Sequence, residues 1–115
     1  MKLPRDLMAA SATPLILTLL RRGDSYGYEI IQNVRALSDG ELEWKEGMLY
    51  PLLHRLDQSG LIESYHGVAD SGRSRKYYRL LPAGEQQLLE QRRGLESVMN
   101  FLDRANSFTP GVAHG

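Results

Sequence analysis

Cysteine is absent from this 115-residue chain, which excludes a disulfide framework and any metal site built from thiolates. A run of about 18 apolar residues, the length that a membrane-spanning helix requires, is absent as well. Residues 1–12 alternate charged and apolar side chains and lack the apolar core of a signal peptide. From these absences we expect a cytoplasmic protein that has no membrane-spanning segment.

Motifs for catalysis are absent too. The sequence contains no HExxH motif, nucleophile elbow, phosphate-binding glycine loop or paired-carboxylate motif. Its three histidines, His54, His66 and His114, are scattered along the chain. We therefore predict that the protein is not an enzyme, has no catalytic or metal-binding residues and needs no cofactor.

Net charge is zero, because 14 basic and 14 acidic residues cancel, and this lowers the expected non-specific affinity for nucleic acid. The charge is unevenly distributed, with minus one in residues 1–44, plus two in residues 45–81 and minus one in residues 82–115. No acidic residue occurs from Ser71 to Leu80. The basic residues of that stretch are Arg73, Arg75, Lys76 and Arg79. Such a cluster suits phosphate groups, although basic side chains also protect exposed edge strands from aggregation.

The central segment has the periodicity of an amphipathic helix. Leucines recur at the spacing i, i+3, i+4 and i+7, which places them on one helical face. They are Leu49, Leu52, Leu53 and Leu56, and the opposite face carries Gly47, Tyr50, His54 and Gln58. A recognition helix needs this division, because one face anchors it to the core while the other offers hydrogen-bonding groups to a DNA groove. The same pattern also occurs in helices that serve only for packing.

A hairpin is predicted after this helix. Gly60 is placed to end the helix in a left-handed conformation, and Leu61–Tyr65 suits a strand. The polar segment Gly67–Gly72 separates it from a second strand, Arg75–Leu81, whose two adjacent tyrosines should point to opposite faces, one buried and one exposed. A winged helix-turn-helix that binds duplex DNA typically has this order: an amphipathic helix, a glycine that ends it, and a basic hairpin.

Several motifs follow one another along the chain. They are Tyr26–Ile30 (YGYEI), Glu46–Leu56 (EGMLYPLLHRL), Gly60–Ile62 (GLI), Gly72–Leu80 (GRSRKYYRL) and Pro82–Gly84 (PAG). In their order and spacing they resemble the PadR family of transcriptional regulators, over residues 11–105. The resemblance implies an α+β, mainly helical fold: a winged helix-turn-helix with an N-terminal helical extension and a long C-terminal dimerisation helix.

The predicted organisation has four parts. They are the N-terminal helical extension at residues 1–12, the DNA-binding domain at residues 13–81, the dimerisation helix at residues 82–105 and a flexible tail at residues 106–115. Within the extension, Leu3–Ala10 is expected to form a separate short helix. Thr13 and Pro14 are suited to cap and open the next helix, because the missing N–H of proline costs nothing at the first helical position. Arg21–Gly23 is expected to end it.

The first helix of the helix-turn-helix is predicted at Tyr26–Leu37, with Ser25 as its cap. Its inward-facing residues are expected to be Ile30, Ile31, Val34 and Leu37. Leu42 and Trp44 alternate with Glu41 and Glu43, which predicts a very short strand at Leu42–Trp44. This strand is expected to pair with the wing, the name used here for the predicted hairpin. Trp44 is interpreted as a core anchor, with a ligand-stacking role as the alternative.

The resemblance implies that the recognition helix starts near Glu46. Pro51 lies beyond the first turn, where a proline forfeits a backbone hydrogen bond and crowds the carbonyl four residues earlier, that of Gly47. We therefore expect a distorted first turn. Lys45 precedes the helix at a position where members of the family more often have a small capping residue. Its side chain should therefore not cap the helix, but it is long enough to reach a phosphate.

The predicted DNA-contacting residues come from this helix and from the wing. They are Lys45, Gly47, Met48, Tyr50, Pro51, His54, Arg73, Arg75 and Lys76. Tyr50 and His54 are expected to contact base edges, with Met48 against a thymine methyl group. The alternative for His54 is a hydrogen-bonded surface residue. Arg73 and Arg75 are expected to contact phosphate or the minor groove, because a wing straddles the backbone beside the docked helix.

The last predicted helix carries an apolar stripe that a single protruding helix cannot bury. Its residues are Leu88, Leu95, Val98, Met99 and Leu102. We expect a homodimer in which two stripes pack together and two DNA half-sites about 34 Å apart are bound. The alternative is that the helix folds back on its own domain. Gly94 within the stripe permits a close approach of two backbones.

The sequence therefore predicts a dimeric, sequence-specific DNA-binding repressor whose partner is double-stranded DNA with two half-sites. A small-molecule effector at the dimer interface is the expected regulator. Phe101 is the only aromatic residue of the predicted terminal helix, with Phe108 beyond it, so a flat aromatic ligand has few partners there. The alternative function is a winged-helix module that binds protein instead of DNA. Such a module has no need of a basic wing without acidic residues.

Overall fold

The computed structural model describes residues 3–111, which combine helices with a small antiparallel sheet. The elements, in chain order, are α1 (Arg5–Arg22), β1 (Ser25–Tyr26), α2 (Gly27–Leu37), α3 (Glu46–Gln58), β2 (Ile62–Val68), β3 (Ser74–Leu80) and α4 (Pro82–Ser107). The predicted α+β, mainly helical architecture is confirmed. Over the described range, no helix has the length and apolarity needed to span a membrane.

The first helix is continuous from Arg5 to Arg22, so the prediction that a new helix starts at Thr13 and Pro14 is wrong. The residues that share its inner face and enter the core are Ala12, Ile16, Leu17 and Leu20, with Leu3 and Met8 packed against the core. A proline inside a helix costs about 3 kcal/mol, whereas each fully buried aliphatic side chain contributes about 1.5–3 kcal/mol. Burial of this long apolar face therefore outweighs the missing hydrogen bond.

The second helix begins at Gly27, because Ser25 and Tyr26 form the edge strand β1. The prediction that Ser25 caps this helix is wrong. Its hydroxyl donates a hydrogen bond of 2.5 Å to Oε1 of Glu29, and Tyr26 occupies the capping position with an extended backbone. The start of α2 is therefore set by strand pairing and not by a side-chain cap.

The inner face of α2 is shorter than predicted. Ile30 and Val34 are fully buried, and Ile31 packs against the core from a half-buried position. Leu37 is 51% exposed, so its predicted inward orientation is wrong. The helix ends at Leu37, and Asp39 follows with a positive φ of 52°. Leu37 therefore lies at the surface, at the point where α2 ends.

The sheet is antiparallel and has the strand order β1–β3–β2. Its third strand is Ser25–Tyr26, and the predicted strand at Leu42–Trp44 is wrong, because that segment forms an irregular connection. Leu42 and Trp44 are nevertheless buried on either side of the exposed Glu43. Burial of a connection thus produces the same alternation as a strand. Trp44 is confirmed as a core residue.

The hairpin and α4 are joined to the end of α3. Gly60 has a φ of 77°, the left-handed conformation predicted for the helix terminus, and the N–H of Leu61 donates to the carbonyl of Leu56 at 3.0 Å. The carbonyl of Leu61 accepts a hydrogen bond from the N–H of Leu81 at 3.0 Å. A Cβ atom on Gly84 would collide with this same carbonyl. The start of α4 is therefore packed directly on the junction between the recognition helix and the wing.

Only the first part of α4 belongs to the hydrophobic core. Its buried residues are Gly84 and Leu88, and Leu88 is 1% exposed within the core cluster. The predicted place of Leu88 in a dimer interface is wrong, because other residues of the same chain already cover it. Beyond Leu88 the described residues of α4 include no buried one, so the helix does not fold back on its own domain. It ends at Ser107, later than predicted, and of the predicted tail only the part up to residue 111 is described.

Candidate nucleic-acid interface

The outer face of α3 carries the polar side chains that the sequence predicts for it. Leu49 and Leu53 are fully buried on the inner face, whereas Tyr50 is 43% and Met48 38% exposed. His54 is exposed one turn beyond Tyr50. The predicted division of this helix into a core face and a free face is confirmed.

The start of α3 has no side-chain cap, as expected from Lys45. This residue has an extended backbone (φ −117°, ψ 161°) and makes no capping hydrogen bond through its side chain. Its carbonyl accepts the N–H groups of Met48 and Leu49, each at 3.0 Å. The helix then runs unbroken through Pro51. The exposed Lys45 side chain therefore adds a cation near a helix N-terminus, which already favours anions.

The ring of Tyr50 lies on the first residue of α2. A Cβ atom built on Gly27 would collide with the phenol oxygen and the adjacent ring carbons of Tyr50. The absence of a side chain at Gly27 thus allows the two helices of the helix-turn-helix to meet through this pair. This contact is not predicted from the sequence, in which the YGYEI motif that contains Gly27 is the only signal that points to it.

Three tyrosines, one from each strand, form a row on one face of the sheet, here called the aromatic row. The rings of Tyr65 and Tyr77 are stacked with centroids 5.7 Å apart, and Tyr26 meets Tyr77 edge-on at 5.6 Å. Gly67 leaves room for the row, because a Cβ atom there would lie 2.8 Å from ring atoms of Tyr77. Tyr78 points to the opposite face and is buried, while Tyr77 is half-buried. The two adjacent tyrosines alternate as predicted.

Arginine side chains lie over both ends of the aromatic row. The guanidinium carbon of Arg75 is 4.3 Å from the centroid of Tyr26, and that of Arg79 is 4.6 Å from the centroid of Tyr65. Nε of Arg79 also forms a salt bridge of 2.9 Å with Oε1 of Glu63. Both partners of this salt bridge are about half exposed, so it contributes little to stability. Its effect is to compensate the charge of Arg79.

A hydrogen bond fastens the aromatic row to the turn between α1 and β1. The Tyr65 hydroxyl donates to Oδ2 of Asp24 at 2.6 Å. This bond raises the pKa of Tyr65 above its ordinary value of 10.0, because the ionised phenol would face a carboxylate. Burial raises the pKa of Tyr78 in the same direction. Both phenols therefore stay protonated well above neutral pH.

The other face of the hairpin carries Lys76 and His66. These residues are directly opposite each other on β3 and β2, and both are exposed. Nζ of Lys76 is 5.7 Å from the centroid of the Tyr78 ring. Lys76 is predicted from the sequence as a DNA contact but His66 is not, because only the strand register places the histidine beside the lysine.

A cleft of about 290 Å³, here called the wing cleft, opens where the wing approaches the helix-turn-helix. Its lining residues are Tyr26, Gly27, Tyr28, Tyr50, Arg75 and Lys76. Three of the residues predicted to contact DNA therefore meet in one place, namely Tyr50, Arg75 and Lys76. Arg73 is not part of the cleft. It is exposed in the turn at the wing tip, where its carbonyl accepts the N–H of Ala69 at 2.9 Å.

The chain is similar in sequence and in structure to known transcriptional regulators. A family model described as "Transcriptional regulator PadR-like family" matches residues 16–90. A transcriptional regulator of Mycobacterium tuberculosis is 46% identical over 65 residues, which cover 56% of this chain and 60% of that protein. A solved structure of a transcriptional regulator from Clostridium thermocellum has a TM-score of 0.78 and 34% identity, covering 86% of this chain and 96% of that one. A PadR family transcription regulator from Clostridium difficile R20291 has a TM-score of 0.72 and 31% identity, covering 82% and 96%.

Proposed function

Because the chain belongs to the PadR-like family of transcriptional regulators, and is thus a regulator and not an enzyme, we propose that it is a sequence-specific DNA-binding repressor that acts as a homodimer. The observation that carries the proposal is the wing cleft, where Tyr50 of the recognition helix meets Arg75 and Lys76 of the wing. Cations and hydrogen-bonding phenols side by side suit the phosphates and base edges of duplex DNA.

In the proposed complex, α3 lies in the major groove. Its free face directs Tyr50 and His54 to base edges and Met48 to a thymine methyl group. Lys45, at the uncapped start of the helix, approaches a backbone phosphate. Arg73, at the exposed wing tip, reaches the phosphates or the minor groove beside the docked helix.

The homodimer is proposed from the outer half of α4. Its exposed apolar residues are Leu95 (48%), Val98 (52%), Met99 (58%) and Leu102 (60%). A contiguous apolar surface of this kind is uncommon on a monomer and marks an interaction site. A second copy supplies a matching stripe, and the two recognition helices are then related by a two-fold axis. This symmetry suits two half-sites about 34 Å apart.

Release by a small-molecule effector is proposed from an apolar groove of about 360 Å³ beside this stripe. Its lining residues are Leu3, Ser11, Pro14, Leu15, Thr18, Leu37, Leu42, Arg92 and Leu95. Leu95 belongs both to the groove and to the exposed stripe, so a ligand bound there contacts the core domain and the dimerisation helix together. A ligand that prefers one angle between these two parts would change the spacing of the recognition helices and thereby weaken DNA binding.

A winged helix that binds protein is the second candidate. The balanced charge of the chain favours it, since DNA-binding domains usually carry a basic surplus. The stretch from Ser71 to Leu80, with basic and no acidic residues, favours DNA instead. We give the second observation more weight, because local charge near the contact governs phosphate binding more than the total charge of the chain does.

Fluorescence anisotropy distinguishes the two candidates. The protein is titrated into a labelled duplex from upstream of its own gene and into a scrambled duplex, at several salt concentrations, and is also used to select sequences from a random duplex library. Tight, salt-dependent and selective binding supports the DNA-binding proposal, and Tyr50→Ala should then lower the selectivity more than the affinity for random DNA. Weak, equal binding to both duplexes together with no enriched sequence in the library would overturn it.

A further inference from the structure

We propose that Tyr26 is a positioning residue that holds Arg75 in the wing cleft, where Arg75, Lys76 and the hydroxyl of Tyr28 bind one phosphodiester group of the DNA backbone. This inference rests on the DNA-binding function proposed above. It assigns a specific ligand, a single backbone phosphate, to the cleft, and it assigns a role to two tyrosines that the sequence does not single out as contacts.

The cleft exists because β1 is only two residues long. Tyr26 is its last residue and lies opposite Tyr77 of β3. The chain then enters α2 at Gly27, whereas β3 extends past the end of β1 through Lys76 and Arg75. The start of α2 and the basic end of β3 are thus neighbours with an open space between them, which is the wing cleft.

The charges at the cleft favour an anion. Its lining residues are two cations, three tyrosines and a glycine, and no carboxylate is among those that the structure describes there. Arg75 and Arg79 both stack on tyrosine rings, but Arg79 also pairs with Glu63 at 2.9 Å. The two stacked arginines therefore differ, because Arg79 is compensated by a carboxylate while Arg75 stands at the cleft. Guanidinium groups bind phosphate in a fixed, two-pronged geometry, so the orientation of Arg75 matters.

The ring of Tyr26 provides that orientation. The guanidinium carbon of Arg75 is 4.3 Å from the ring centroid, within the range of a cation–π contact. The ring is itself supported, because Tyr77 meets it edge-on and stacks in turn on Tyr65, whose hydroxyl is bonded to Asp24. An arginine held in this way loses less conformational freedom when it binds, which increases affinity without a new contact to DNA.

The Tyr28 hydroxyl completes the proposed site from the opposite side of the cleft. Tyr28 is 58% exposed in the first turn of α2. A phosphate between Tyr28 and Arg75 would be held by the helix-turn-helix and the wing at once. Contacts to phosphate position a protein on the duplex. The site would therefore set the register in which Tyr50, which also lines the cleft, meets the bases.

A double-mutant cycle tests the positioning role. We expect Tyr26→Leu to raise the Kd for operator DNA about fivefold, the size of a cation–π contact at a partly exposed site. Tyr26→Phe keeps the ring and should bind like the wild type. In an Arg75→Ala background, Tyr26→Leu should add less than about a twofold loss, because the arginine that it positions is gone. Losses that multiply in the double variant, or a Tyr26→Phe variant as weak as Tyr26→Leu, would overturn the role of the ring.

The ring contact is also measured without DNA, on the folded wild-type protein. The Cδ protons of Arg75 should be shifted upfield in the NMR spectrum by the ring of Tyr26, and Tyr26→Phe should retain this shift. Thermal unfolding followed by circular dichroism establishes that each variant is folded. If Tyr26→Leu does not fold, the wild-type and Tyr26→Phe spectra still decide the question. Ordinary chemical shifts for Arg75 in both would overturn the proposal.

The ligand is tested with operators in which single phosphates are replaced by uncharged methylphosphonates. One position in each half-site should weaken binding of the wild type and of Tyr26→Phe but not of Arg75→Ala. Tyr28→Phe should raise the Kd by about threefold, the size of one hydrogen bond. If the wild type binds an operator selectively but no position behaves in this way, the phosphate site is wrong while the DNA-binding function stands. If the wild type binds no duplex selectively, the proposed function itself fails.

Discussion

The ring of Tyr50 is in direct contact with the backbone of Gly27, and a side chain at position 27 would collide with its phenol group. The pair joins the first turn of α2 to the outer face of the recognition helix α3. Since Tyr50 is still 43% exposed, the contact orients the ring without covering it. The orientation of the Tyr50 ring is therefore set by a residue of another helix.

Gly27→Ala should reorient Tyr50 without unfolding the protein. The colliding atoms are at the far end of an exposed side chain, so the ring can turn into solvent. We expect the free energy of unfolding to change by less than about 1 kcal/mol. The cost of moving the ring is offset, because alanine stabilises a helix relative to glycine by a similar amount. Selectivity for operator over random DNA should fall as it does in Tyr50→Ala. Urea unfolding and anisotropy measure the two effects.

Gly23→Ala is the matched control for this prediction. Among the residues that the structure describes, none has an atom within 4 Å of a Cβ atom built at Gly23, and Gly23 has an extended backbone with φ of 163°. The control should leave both stability and selectivity near their wild-type values. Wild-type selectivity in Gly27→Ala would mean that the position of Tyr50 on Gly27 has no part in DNA recognition.

Replacing the two wing arginines should reduce the salt dependence of DNA binding. Each phosphate contact that is lost removes about 0.9 from the slope of log K against log salt concentration. Arg73→Ala combined with Arg75→Ala should therefore weaken binding to operator and random duplexes alike and lower the slope by about 1.8. Arg35→Ala, an exposed arginine in the last turn of α2, is the control. An unchanged slope in the double variant would remove both arginines from the DNA contact.

Charges in the exposed stripe of α4 should dissociate the proposed homodimer. Leu95→Glu combined with Leu102→Glu introduces two carboxylates at positions where the leucine side chains are 48% and 60% exposed. A monomer tolerates charges at such positions, but a packed apolar interface does not. We expect folded monomers in analytical ultracentrifugation. Leu88→Ala is the contrasting variant, because Leu88 is a core residue and its truncation should cost about 2–5 kcal/mol of stability. A dimer that survives both glutamates would place the interface elsewhere.

Alkaline pH should destabilise the fold through Tyr65 and Tyr78. The folded protein raises the pKa of both phenols above 10.0, by the hydrogen bond to Asp24 for Tyr65 and by burial for Tyr78. Their contribution is therefore complete below pH 10.0 and is lost as the pH rises through the folded pKa. Urea unfolding from pH 7 to pH 11 should show stability that falls at the alkaline end.

The variant Tyr65→Phe with Tyr78→Phe should make this alkaline decline less steep. Tyr28→Phe serves as the control, because Tyr28 is 58% exposed and leaves both of the perturbed phenols in place. If the double variant loses stability at high pH as steeply as the wild type does, ionisation of these two tyrosines is not the cause of the decline.

The errors of the sequence analysis share one cause, which is packing between residues distant in the chain. Pro14 has the signature of a helix start, but burial of a long apolar face carries α1 through it. Leu42 and Trp44 alternate like a strand, but they are buried from an irregular connection. Leu88 continues the apolar stripe of α4, yet it lies in the hydrophobic core of its own chain. In each case the sequence pattern is present, but the surrounding structure differs from the one that usually produces this pattern.

Several features depend only on near neighbours in the chain and are therefore predictable from the sequence. These are the two faces of α3, the left-handed Gly60 that ends it, and the basic hairpin, because helix periodicity, backbone sterics and local charge need no distant partner. The contacts of Tyr50 with Gly27 and of Arg75 with Tyr26 depend instead on the tertiary structure. Those contacts arise from the pairing of β1 with β3 and from the packing of α2 on α3, and strand register and helix packing are set by the whole core.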